Sequence, residues 1–62
     1  MLPKQLIEIM YNIESISNNW NTTAKEKGDA FFELATKNKD NIALFKQYIF
    51  HAIYQYELAS ML

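Results

Sequence analysis

Cysteine and arginine are both missing from this 62-residue chain, and glycine, proline, histidine and tryptophan occur once each. Without cysteine there is no disulfide and no thiolate zinc site, two of the staples on which very small folds rely. A single histidine, His51, with scattered carboxylates does not make a closed structural metal site, so neither metal nor cofactor is expected. One glycine cannot build a phosphate-cradling loop or a dinucleotide fingerprint, which excludes the common nucleotide-binding motifs. Positive charge is also scarce: six lysines stand against seven acidic residues, for a net charge of −1. Dispersed charge of that balance is a poor electrostatic match for nucleic acid, whose binding draws on phosphate neutralisation.

Catalytic constellations are absent from the pattern as well. His51 has glutamine or tyrosine three and four residues away on either side, so it has no carboxylate partner within its own helix. Both the two-histidine zinc helix and the Glu-x-x-His helix are therefore missing. Ser15, Ser17 and Ser60 lie in no strained nucleophile turn. No catalytic residue is nominated and the chain is not expected to be an enzyme. A basic segment followed by an apolar run and a small-residue cleavage site is not seen, and cytoplasmic placement is the expectation.

What is present is apolar. Half the residues are hydrophobic and nine are aromatic, a composition that folds rather than stays disordered. A chain of this length is read as a single domain over residues 1–62, and such a domain buries only about 60% of its unfolded surface. With disulfides and metal excluded, self-association is the remaining source of added stability.

Three helices are expected, at about 3–19, 24–37 and 41–60, in an all-α three-helix bundle. Pro3 suits a helix start, where its missing N–H would be unpaired anyway. From there Leu2, Leu6, Ile9, Ile13, Ile16 and Trp20 recur at steps of four and three, a seam along one side of the first helix. Ile7 and Tyr11 form a smaller patch away from it. Asn18, Asn19 and Asn21 favour caps and turns and should end this helix near Trp20. Asn21-Thr22-Thr23 also matches a glycosylation sequon, but in this context the side chains read as capping chemistry.

Thr23-Ala24-Lys25-Glu26 has the form of a capping box and should start the second helix. Gly28 then lies inside a helix, where it costs roughly 0.8–1.0 kcal/mol relative to alanine. Its presence implies either a close helix approach or a break with Asp29 as a second cap, and one continuous helix is preferred. Phe31 and Phe32 point 100° apart, so one should enter the core while the other lies at its edge. Asn38-Lys39-Asp40-Asn41 is a polar turn in which Asp40 or Asn41 caps the third helix.

That third helix is apolar on two sides. Ile42, Phe45, Ile49, Ala52, Ile53, Tyr56 and Ala59 fall on one face at helical spacing and are expected to form the core. Opposite them run Phe50, Tyr54 and Leu58, continued by Met61 and Leu62 and preceded by Leu44, with Gln47 and His51 among them. Large apolar patches that a small chain cannot cover mark contact surfaces. Phe50, Tyr54, Leu58, His51 and Tyr11 are accordingly nominated as protein-binding residues. Although long enough to cross a bilayer, the helix is interrupted by Lys46, Gln47, His51, Gln55 and Glu57, so no membrane span is expected.

The functional expectation is a small helical protein-binding module, an adaptor, regulator or inhibitor of a partner protein, acting as a homodimer. The alternative is a small DNA-binding regulator. Lys25, Lys27, Lys37 and Lys39 bracket the second helix, and a short turn joins it to the third in a loosely helix-turn-helix-like order. Against that alternative, a recognition helix presents polar and basic groups to the groove, whereas the third helix is the apolar one.

Overall fold

A computed structural model of the chain, describing residues 3–61, contains three α-helices: α1 (Lys4–Ser17), α2 (Ala24–Lys37) and α3 (Ile42–Ser60). They form the expected all-α three-helix bundle, and the described residues contain no strand. Pro3 sits one position before α1, where its carbonyl accepts from the Leu6 and Ile7 amides. α1 ends at Ser17, earlier than expected. There the Asn19 side chain accepts from the Asn21 amide and the Asn19 backbone carbonyl accepts from the Thr22 hydroxyl, bonds that stabilise a turn instead of another helical turn.

α2 begins with the full capping box. Thr23 Oγ1 accepts from the Glu26 amide at 3.1 Å, and Glu26 Oε1 accepts from the Thr23 amide at 2.8 Å. These bonds, the Thr23 backbone amide above all, hold the Glu26 carboxyl below its ordinary range. At the start of α3 the cap is Asn41, whose side chain accepts from the Leu44 amide.

α2 and α3 run antiparallel and make the most extensive helix contact. Gly28 in the second turn of α2 meets Tyr56 near the end of α3, while Leu34 and Asn38 border Leu44 and Tyr48 at the other end. The core between them is Phe31 and Ala35 from α2 with Tyr48 and Ala52 from α3. Phe31 is completely buried and Phe32 exposed, the division their 100° separation required.

α1 runs along this hairpin, its first half beside Leu34 and Tyr48 and its last residue beside Lys27 and Gln55, and is less deeply embedded. Ile9, Ile13 and Ile16 pack against the core, yet no described residue of α1 is fully buried. Asn12 ties α1 to the hairpin by donating to the Tyr48 hydroxyl at 3.2 Å. The ends of the expected seam fall away from the core. Leu6 is exposed, Trp20 is 87% exposed in the turn after α1, and Leu2 lies outside the described residues. The helix stops before the seam does, so Trp20 loses the helical direction that would have aimed it inward.

The buried line of α3 also differs from the expected face. It runs through Tyr48, Ala52 and Gln55, with Phe45, Ile49 and Tyr56 along its margin. Ile42, at 73% exposure, and Ile53 lie more than roughly a quarter-turn around the helix from that line and face outward. Gly28 explains the rotation. A Cβ at this position would approach two Tyr56 ring carbons at 2.6 Å, so only glycine admits the ring against α2. The Tyr56 hydroxyl then donates to Asp29 Oδ1 at 2.5 Å, which anchors the ring beside the glycine. Gly28 is thus a close-approach position within one continuous helix.

Two expectations follow for the Gly28–Tyr56–Asp29 contact. Alanine at position 28 gains helix propensity of about 1 kcal/mol, but overpacking against an anchored ring costs about 1–3 kcal/mol. Gly28→Ala should therefore lower the thermal midpoint, and in a Tyr56→Ala background the same change should raise it. A stabilising Gly28→Ala in the wild-type background would show the ring to be free to move.

The second expectation concerns pH. The hydrogen bond from Tyr56, with help from the Lys25 ammonium, holds the Asp29 carboxyl below its ordinary value of 3.8. The same bond raises the Tyr56 phenol above its ordinary value of 10.0. A lowered carboxyl contributes stability that is lost as pH falls through its folded value, and a raised phenol contributes stability that is lost as pH rises through its own. Asp29→Asn should be less stable than wild type at neutral pH, with the difference closing below about pH 4. Chemical denaturation at pH 7 and pH 3 checks this, and a difference that persists unchanged at pH 3 would contradict it.

Candidate functional site

Where α1 ends and α2 begins, the second half of α3 borders an open groove of about 580 Å³. Its apolar wall is Phe50, Tyr54 and Leu58, which follow one another at four-residue steps and so share one side of α3. Its polar groups come from all three helices: Ser17, Lys27, and the pair His51 and Gln55. The His51 ring is half-buried and packs on Phe31, with ring centroids 5.2 Å apart and the planes tilted by 34°. One core residue thereby positions one groove residue.

Gln55 is the most unusual member. It is only 6% exposed, and its side chain forms no hydrogen bond with another described residue. No deeply buried side-chain nitrogen or oxygen lacks a partner among the described residues, so the Gln55 amide keeps its contact with the groove. It offers a donor and an acceptor there. Lys27 supplies a cation, and no carboxylate lines the groove. The arrangement suits noncovalent recognition: aromatic and aliphatic area for contact, and a few polar groups to orient what is bound.

The nominated residues separate into two places. Phe50, His51, Tyr54 and Leu58 come together in the groove, whereas Tyr11 is exposed on the outward side of α1 and is not part of it. Ile7 and Met10 are exposed beside Tyr11 on that side of α1. Lys27 and Gln55 were not nominated. Lys27 reads in the sequence as one more solvated lysine and Gln55 as a polar interruption of α3. The four-residue step from His51 to Gln55 was the available signal. Among the described residues no group of three or more histidine, cysteine, aspartate or glutamate side chains is placed to hold a metal ion, and no helix is long and apolar enough to cross a membrane.

Because the Gln55 amide forms no hydrogen bond with another described residue and keeps only a narrow contact with solvent in the groove, Gln55→Leu should keep or raise the thermal midpoint. A large fall in that midpoint would show that the amide carries a structural hydrogen bond. Compared with protein-family models, curated proteins and solved structures, the chain matches none.

Proposed function

We propose that this chain is a small protein-binding module that works as a homodimer through α3. The observation that carries the reading is the outer surface of that helix. Phe50 is 63% and Tyr54 56% exposed, and Ile42, Ile53 and Met61 are exposed on the same helix or its cap. Large apolar side chains left exposed together on one helix mark a contact surface.

The accessible area supports the same reading. The chain exposes 4885 Å², whereas a compact monomer of this size exposes about 4200 Å². The surplus, about 700 Å², shows that the monomer leaves more surface uncovered than a compact chain of its size. Its radius of gyration, 11.7 Å, likewise exceeds the roughly 10.6 Å of a globular domain of this length. Phe50, Ile53 and Tyr54 are already about half buried, so burying the remainder on both copies contributes roughly 5–10 kcal/mol gross. Association costs about 4–15 kcal/mol, so these three side chains alone sustain only a weak dimer, and a stable one recruits further residues of the same helix.

The groove beside this surface is the site we assign to a partner protein, which makes the module an adaptor, regulator or inhibitor. DNA binding receives less support. Of the four lysines around α2, Lys25 is paired with Asp29 at 3.3 Å and Lys37 with Glu33 at 3.4 Å, which offsets charge that phosphates would need.

Analytical ultracentrifugation tests the homodimer. Wild type should sediment as a dimer at high concentration, and Tyr54→Glu as a folded monomer with unchanged helical circular dichroism. A wild-type monomer at millimolar concentration, or a Tyr54→Glu chain that unfolds, would return this surface to the monomer.

A further inference from the structure

The outermost line of α3 is Ala43, Lys46, Phe50, Ile53, Glu57 and Ser60. The steps are three, four, three, four and three, the spacing of a coiled-coil seam, and all six residues are exposed. Sequence order along this line is palindromic in chemical character. The two ends are small, the next two are oppositely charged, and the central two are large and apolar.

From this pattern we infer that two copies of α3 pair antiparallel about a two-fold axis passing between His51 and Ala52. The inference rests on the homodimer proposed above and specifies how it is built. In that alignment Ala43 faces Ser60 of the second copy, Lys46 faces Glu57, and Phe50 faces Ile53. Each contact occurs twice, as an isologous interface requires. On one flank of the seam Tyr54 meets its own counterpart and Gln47 meets Met61.

Other alignments fail on charge or polarity. A parallel pair sets Lys46 against Lys46 and Glu57 against Glu57, two like-charge contacts in a largely apolar seam. Sliding the antiparallel pair by one heptad sets Glu57 against Ile53 or Lys46 against Phe50, which leaves the charges unpaired. Polar residues within an apolar seam set register and orientation in this way. Lys46 and Glu57 have no ion-pair partner among the described residues of their own chain, so they are free for this one.

Charge reversal tests the pairing, and both sites are exposed, so folding is not at stake. Lys46→Glu and Glu57→Lys should each raise the dimer dissociation constant by roughly tenfold or more, since each replaces two attractions by two repulsions. The double variant should restore it to near wild type. A chain without native cysteine also permits a clean orientation probe. On mild oxidation the Ala43→Cys, Ser60→Cys double variant should form disulfide-linked dimers, and Ala43→Cys alone should not. A dimeric wild type that tolerates either single reversal, or an Ala43→Cys variant that cross-links with itself, would overturn the antiparallel register while leaving the homodimer standing. A monomeric wild type would overturn both.

Discussion

The close approach of α2 and α3 at Gly28 is the constraint on which the rest of the structure depends. A ring that packs directly on backbone sets both the separation of the two helices at that end and the rotation of α3 about its own axis. With Tyr56 held against Gly28 and tied to Asp29, Tyr48, Ala52 and Gln55 must turn inward, because they lie on the adjoining line of the same helix. Everything on the far side then points to solvent. The exposed seam of α3 is therefore a consequence of one missing side chain on α2.

The same constraint shapes the groove. Phe31 lies one turn beyond Gly28 on the inner side of α2 and packs on His51, while Lys27, the neighbour of Gly28, reaches the opening between the helices. Gln55 is drawn into the buried line by the rotation but stays at the groove's floor, where its amide keeps access to solvent. A polar group in that position costs the fold little while the groove is open, and it supplies orientation to whatever closes over it. α1 contributes chiefly as a cover. Its isoleucines shield one side of the hairpin, and its outer side, with Ile7, Met10 and Tyr11, stays exposed.

A fold in which one helix covers a hairpin without burying any side chain fully has little stability to spare. Its only fully buried large side chain among the described residues is Phe31. In the proposed homodimer, pairing through α3 would add apolar burial where the monomer has a deficit, and because Phe50 and Tyr54 also wall the groove, it would close over one edge of that site.

Sequence by itself determined the helices, their caps and their order. Capping boxes, turn-forming asparagines and helical spacing act within a few residues, so Thr23 with Glu26, Asn41, and the split between Phe31 and Phe32 were all legible. Which side of α3 would be buried was not. By apolar count its richest face includes Ile42 and Ile53, and both are outside the core, while Tyr48 and Gln55, with polar tips, are inside. Trp20 likewise reads as the end of a seam but sits in a turn. Only the tertiary structure decides these cases, because the orientation of a helix that is apolar nearly all round is set by its closest contact with another element. Here that contact joins Gly28 to Tyr56, twenty-eight positions along the chain, and no local periodicity encodes it.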